Sequence, residues 1–222
     1  MSLVVITGGN RGIGWELAHL YSAAHWQVIL GVRTAPASEL PESVTHRELD
    51  VGSDKSVSDF ALGLRDVSVD LLISNAGILG PARQTSTDMD FAGFAEALNI
   101  NTLGPLRVAQ ALLPNLRRAQ RAKLGVITSR MGSMSYAKSD TTAYRASKAA
   151  ANKVVQALAT DLRADGIAVA ALHPGWARTD MGGPSADIAP RTGAEGLKSV
   201  LDRLTLEETG KFWNHDGTEL AW

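Results

Sequence analysis

The stretch LVVITGGNRGIG, residues 3–14, decides how the chain is read. Residues 3 to 7 are apolar or β-branched, the composition of a strand covered on both faces. A helical pattern runs from about Ile13 to Ala24. Between the two lie glycines at 8, 12 and 14, which permit a tight turn, close approach of the backbone to an anionic ligand and close packing of the helix. The helix start adds free N–H groups at the positive end of its dipole. A strand that passes through such a turn into a helix predicts the first unit of a βαβ sheet. It also predicts a site for a dinucleotide pyrophosphate lined by Gly8, Asn10, Arg11, Gly12, Ile13 and Gly14.

Outward from this unit the same rhythm repeats. Strand-like runs fall at 27–32 (QVILGV), 43–49 (SVTHREL), 70–74 (DLLIS), 124–129 (LGVITS) and 167–172 (IAVAAL), with helical patterns at about 53–65, 88–118, 142–165 and 192–204. The ending GKFWNHDGTELAW supplies one final strand. This alternation predicts an α/β protein with a single-domain, doubly wound Rossmann fold over residues 1–222: a parallel sheet of about seven strands with helices on both faces. A short substrate loop is expected at about 181–191.

Composition narrows the function classes. The 222 residues are 45% hydrophobic and 20% charged, enough apolar material for a full core and unlike a disordered chain. A net charge of −1 offers no bulk electrostatic reason for a nucleic-acid or anionic-membrane partner. The absence of cysteine excludes disulfides, thiolate metal sites and thiol nucleophiles. The opening MSLVVITGG has neither the basic region nor the long apolar core of a secretion signal, so the expectation is a cytoplasmic protein. The histidines at 19, 25, 46, 173 and 215 lack metal-ligand spacing and read as surface or capping residues, so no metal is expected. The tryptophans at 15, 26, 176, 213 and 222 read as core or interface aromatics, with Trp176 a candidate for the cleft wall.

The end of the second strand bears on which dinucleotide fits. NAD sites place an acidic side chain about 20 residues beyond the glycines to bind the ribose diol. Here the chain reads Gly31, Val32, Arg33. Without a carboxylate to repel a 2′-phosphate, and with Arg33 and Arg11 able to fork onto one, NADP(H) is preferred, NAD(H) remaining a second option. Asp50, directly after the third strand in RELDVGS, is a candidate for the adenine amino group, with Val51 beside it.

A second stretch, AYRASKAAA at 143–151, sets Tyr144 and Lys148 four residues apart on one helical face. A phenol titrates near 10, and a fixed cation beside it lowers that value, which suits a group that exchanges a proton with a carbonyl or alcohol oxygen. Upstream, GVITS ends a buried strand and delivers Ser129 to the carboxyl edge of the sheet, where its hydroxyl can bond a developing oxyanion. Ser133, Ser135 and Ser147 compete for that role, Ser133 most seriously. The rigidity of a strand end favours Ser129.

Taken together the motifs resemble those of the short-chain dehydrogenases/reductases, over essentially the whole chain. That family's TGxxxGxG stands as Thr7 to Gly14, its NAG as Asn75, Ala76 and Gly77, and its NxxG as Asn101 to Gly104. The strand-end serine is Ser129, YxxxK is Tyr144 to Lys148, and the PG turn is Pro174 and Gly175. The resemblance implies an active group of Asn101, Ser129, Tyr144 and Lys148, with NAD(P) across the sheet. In it the tyrosine exchanges the proton, the serine orients the carbonyl, and the lysine binds the nicotinamide ribose and depresses the phenol's pKa. The asparagine holds a water that continues the relay. It further implies that Asn75, Ala76 and Gly77 support the adenine-ribose side, and that Pro174, Gly175, Ala177 and Thr179 meet the nicotinamide. ITSRMGS, the loop after HPGWARTDM and the chain's ending are similar to the C-factor-like and sniffer-type carbonyl reductase branch.

Two departures bear on the pocket. Tyr144 lies fifteen residues after Ser129, a little more than the commonest gap. The segment between Met181 and Arg191 is short, which predicts an open cleft rather than a lid for bulky substrates. The expectation is a carbonyl reductase, or alcohol dehydrogenase in reverse, with a small-molecule carbonyl or alcohol substrate. A cofactor-binding signalling or sensor protein is the second reading. A sugar-nucleotide epimerase or dehydratase fits the glycine spacing and chain length poorly. By resemblance the chain forms a homodimer or homotetramer through helices at about 102–118 and 145–163.

Overall fold

The apolar runs form strands, and the computed structural model, which describes residues 1–222, pairs all of them in parallel. In chain order the elements begin β1 (Leu3–Thr7), α1 (Gly12–Ala23), β2 (Gln27–Val32), β3 (Val44–Glu48), α2 (Asp54–Leu62), β4 (Leu71–Ser74) and α3 (Phe91–Leu98). A π-helical turn (Asn99–Leu103) leads into α4 (Gly104–Ala111) and α5 (Leu113–Leu116), followed by β5 (Lys123–Ile127) and α6 (Thr142–Asp161). The chain closes with β6 (Ala168–His173), α7 (Pro190–Arg203) and β7 (Lys211–Asn214). The sheet order is β3-β2-β1-β4-β5-β6-β7, the seven-stranded doubly wound Rossmann arrangement the alternation predicts.

Successive strand residues point to opposite faces, so each strand feeds two cores. Val5, Leu72, Leu124, Val126, Val169, Ala171 and Phe212 pack in one layer, with residues of α2, α4, α5 and α6. Val4, Ile6, Ile73, Ile127, Ala170, Leu172 and Trp213 pack in the other, with α1 and α7. Strand β6 is buried at every position, as a central strand covered on both sides must be.

The helical pattern expected at 88–118 is interrupted. Asp90 caps α3 by accepting from the Gly93 N–H at 3.0 Å, and the π turn at Asn99–Leu103 then breaks the ladder where Asn101 must turn inward. At the carboxyl end of the chain, β7 does not finish the fold. The tail turns back and runs antiparallel beside it, with Asn214 N–H bonded to the Thr218 carbonyl at 2.8 Å and Leu220 N–H to the Phe212 carbonyl at 2.7 Å. Trp222 then stacks on Phe212 with ring centroids 5.4 Å apart. At the opposite side of the sheet, β3 presents Thr45, His46, Arg47 and Glu48 to solvent. No helix is long and apolar enough to cross a membrane.

Candidate active site

The strand order reverses between β1 and β4, and the turns that leave their carboxyl ends therefore face a common crevice. Side chains weld these two turns together. The Thr7 hydroxyl accepts from the N–H groups of Asn75 (3.0 Å) and Ala76 (3.1 Å), while Asn75 Nδ2 donates to the carbonyls of Thr7 (3.1 Å) and Gly8 (2.9 Å). Asn75 is thus committed to bracing the glycine turn. Gly8 has φ +68°, and a Cβ there would lie 2.9 Å from Ala76 Cα. At Gly14 a Cβ would meet Asn75 Nδ2 at 2.5 Å and the Gly8 carbonyl at 2.6 Å. Gly14→Ala is therefore expected to destabilise the fold by about 2–3 kcal/mol, read as a lower urea midpoint at unchanged slope.

The other residues expected to meet a dinucleotide fall around this turn. Ile13 is buried against Gly193 of α7, and Gly12 (φ +57°) faces the methyl of Thr179. Asn10 Nδ2 donates to the Thr34 carbonyl at 3.2 Å and ties the turn to the end of β2, where Arg33 is exposed. Asp50 uses Oδ1 to accept from the Gly52 N–H at 2.9 Å, and Val51 is buried against Gly104. Arg11 does not stand free: its Nη1 lies 2.6 Å from Asp180 Oδ2, so a 2′-phosphate must share it with that carboxylate. The pair spans 169 positions in sequence, a separation that no local pattern reveals. A cradle that side chains would fill, at the start of a helix, fits an extended phosphate ligand.

Beyond the crevice the structure brings Asn101, Ser129, Tyr144 and Lys148 together, all buried. Ser129 is extended (φ −156°) just past β5 and accepts from the Met131 N–H at 3.1 Å. Its rivals are occupied elsewhere. Ser133 donates to the Trp222 carbonyl at 3.1 Å, Ser135 lies beside the same carbonyl, and Ser147 back-bonds to the Tyr144 carbonyl at 2.8 Å. Lys148 Nζ donates to the Ile127 carbonyl at 2.9 Å and lies 5.8 Å from the centroid of the Tyr144 ring. A Cβ at Gly77 would stand 3.1 Å from Asn101 Oδ1 and 3.5 Å from Lys148 Nζ, so the turn after β4 passes beside both.

Two expectations need correction, and a third is narrowed. Burial, rather than the lysine, dominates the phenol: Tyr144 is pushed up to about 12, with a hydrogen bond to Ser129 pulling the other way, and desolvation pushes Lys148 down to about 8. The Asn101 amide, which the family role pairs with a relay water, is mostly engaged by the protein, with one lone pair of Oδ1 left over. Its Oδ1 accepts from the Ile78 N–H at 2.8 Å, and its Nδ2 donates to the Ile78 carbonyl (2.8 Å) and to Ser147 Oγ (2.9 Å). His173 is no surface residue: it ends the fully buried β6, its Nδ1 has no partner, and burial pushes it down to about 4.

The loop beyond β6 is short but self-braced. Gly175 turns with φ +80°, and Ala177 pairs with Ile188. Trp176 Nε1 donates to the Gly182 carbonyl (2.8 Å), and Arg178 holds the carbonyls of Ala186 and Asp187. Thr179 accepts from the Gly182 N–H at 3.1 Å, and the Pro174 carbonyl packs on Gly193. Gln84, which nothing in its local sequence marks, accepts the Tyr144 N–H at 3.1 Å. No cluster of three or more His, Cys, Asp or Glu is placed to hold a metal ion.

Known proteins are similar to this chain in sequence and in fold. Residues 2–188 match the sequence model of the short chain dehydrogenase family. The chain is 44% identical to the C-signal protein of Myxococcus xanthus over 165 residues, 73% of this chain and 98% of that one. Among solved structures, the carbonyl reductase Sniffer of D. melanogaster superposes with a TM-score of 0.91 at 30% identity, covering 100% of both chains. The NADPH-bound carbonyl reductase from chicken fatty liver gives 0.90 at 29% identity, again with 100% of both chains covered.

Proposed function

The chain belongs to the short-chain dehydrogenase family, and from that premise we propose that it is an NADPH-dependent reductase of small carbonyl compounds, aldehydes, ketones or quinones, with Tyr144 as general acid. The observation that carries the reading is the convergence of Ser129, Tyr144 and Lys148 by the turn after β4, which braces the glycine turn that would hold the dinucleotide. In that role the bound nicotinamide supplies the hydride.

The chain's own residues do the rest. Ser129 and Tyr144, both buried, would present two hydroxyls to a carbonyl oxygen and stabilise the charge that develops there. Tyr144 then gives its proton to that oxygen. A phenol held near 12 is fully protonated at neutral pH, which fits the reductive direction; oxidation of an alcohol, which needs a proton acceptor, speeds up as pH rises. Lys148 has hydrogen-bonding capacity left for the nicotinamide ribose after its bond to the Ile127 carbonyl. Gly8, Gly12 and Gly14 would admit the pyrophosphate, and Ala177 and Thr179 the carboxamide. Likeness to an NADPH-bound carbonyl reductase supports the choice of cofactor, as do Arg33 and Arg11 at the ribose end.

The test is a panel of aldehydes, ketones and quinones followed at the NADPH absorbance band. Arg33→Ala is expected to weaken NADPH binding about tenfold and leave NADH binding within about twofold, the size of one lost charge-assisted bond at an exposed site. A larger loss with NADH would reverse the assignment of the arginine. The similarity to a protein named C-signal favours one second reading, a cofactor-binding signalling protein. Tight NADPH binding with no turnover across the panel would select it. A homodimer or homotetramer through the α4 and α6 faces, and a cytoplasmic location, complete the proposal.

A further inference from the structure

We propose that Gln84 is a positioning residue that sets the Tyr144 phenol against Ser129 by capping α6 from outside the helix. The inference builds on the reductase reading for its kinetic measurement only. Helix α6 carries Tyr144, Ser147 and Lys148 in its first two turns, and the N–H groups that open a helix need partners from elsewhere. The residue before it supplies none. Thr141 has a left-handed backbone (φ 48°), makes no side-chain cap, and its buried hydroxyl has no partner.

Gln84 takes over that task from 60 positions upstream. Its main-chain carbonyl accepts the Thr142 N–H at 2.8 Å and its side-chain Oε1 accepts the Tyr144 N–H at 3.1 Å. Its Nε2 donates to the Leu79 carbonyl at 3.2 Å. Leu79 follows Ile78, whose N–H and carbonyl are both held by the Asn101 amide at 2.8 Å. Direct bonds and a single covalent step therefore connect Asn101 to the backbone of Tyr144. Gln84 is only 6% exposed, so solvent cannot readily replace it.

The platform under Gln84 is itself braced. Gln84 pairs with Met89, Asp90 N–H bonds the Arg83 carbonyl at 2.9 Å, and Arg83 pairs with Asp88 at 2.9 Å. Gly80 turns with φ +88°, and a Cβ there would stand 3.6 Å from Gln84 Oε1. A purely structural glutamine would weaken the fold and cofactor binding together. A positioning glutamine affects the proton-transfer geometry at the first turn of α6, while the glycine turn, and Lys148 one turn further on with its bond to the Ile127 carbonyl, go on holding the dinucleotide.

Two variants separate these roles. Gln84→Met keeps the length and removes both amide ends; Gln84→Glu keeps the acceptor toward the Tyr144 N–H. For each, kcat and the KM for NADPH are measured with the parent's best carbonyl substrate, and amide hydrogen exchange is followed along α6. The Met variant is expected to lose about 10- to 30-fold in kcat with the NADPH KM within about twofold, since sub-ångström misplacement of a reacting group carries a cost of this order. Exchange at residues 142–145 is expected to quicken about tenfold or more while 155–161 keep their protection. The Glu variant is expected to recover to within about threefold of the parent in kcat and in exchange.

Unchanged kcat or unchanged exchange in the Met variant overturns the proposal. So does a parallel loss of kcat and NADPH affinity with faster exchange along all of α6, or a Glu variant no better than Met. If the parent turns over no carbonyl compound, it is the reductase reading that fails. The exchange measurement then decides Gln84 alone: local quickening supports the capping role, and its absence ends it.

Discussion

Tyr144→Phe is expected to lower carbonyl reduction by about 10³-fold while leaving NADPH affinity within about threefold, the span expected when a general acid is removed and cofactor contacts stay. The ring remains to fill its buried site, so its packing persists. What disappears is the one proton Tyr144 would give and one of the two hydroxyls facing the oxyanion. Ser129 survives with its bond from the Met131 N–H, and supplies what rate is left. The glycine turn and Lys148 would still hold the cofactor, since neither depends on the phenol hydroxyl. Single-turnover reduction in the presence of saturating NADPH, beside a fluorescence titration of the cofactor, reads both quantities. Turnover by the Phe variant within tenfold of the parent would remove Tyr144 from the chemistry.

Lys148→Met is expected to be nearly as damaging and broader, lowering kcat by about 10²-fold and NADPH affinity by about tenfold. It also carries a signature in stability. Lys148 is 4% exposed, and burial pushes its pKa down to about 8 in the folded chain, against 10.5 for an ordinary lysine. As pH rises past 8 the folded chain gives up this proton before the unfolded chain does, so the unfolded state binds more protons and stability rises with pH. The gain accumulates between about pH 8 and 10.5, at up to about 1.4 kcal/mol per pH unit, and totals roughly 3 kcal/mol. The Met variant lacks this gain, and the difference between the two urea-denaturation series isolates it from every other titrating group. Parallel series would mean that the ammonium is not desolvated in the folded protein.

The parts of the molecule that sequence reading reaches are those whose cause is local. A β-branched run, a glycine turn and a helix start lie within residues 3–14, and the i, i+4 geometry of Tyr144 and Lys148 follows from helical pitch alone. Ser129 is legible because a strand must end somewhere, and two residues past the end of this one stands a hydroxyl. The remainder depends on contacts between distant segments. Gln84 sits in an aperiodic loop and acquires its role from a helix 60 positions away, and Arg11 meets Asp180 across 169. His173 carries a polar side chain that reads as surface, yet a central strand buries it regardless of its chemistry. The titration of Tyr144 escapes for the same reason. Spacing places a cation near it, whereas burial, a property of the whole fold, sets the direction.

An open sheet has two flanks at which unpaired backbone groups can template association with another chain. Here neither is inviting. The β3 flank carries His46, Arg47 and Glu48 outward, and charges of both signs disfavour the docking of a foreign strand. The β7 flank is already occupied by the returning tail, whose bonds at Asn214 and Leu220 use the groups an intruder would need. A chain that exposes apolar strands before it is fully folded is thereby guarded against fibrous growth once it is. Removing the residues after Gly217 would strip that guard and leave the outer backbone groups of β7 open to another strand.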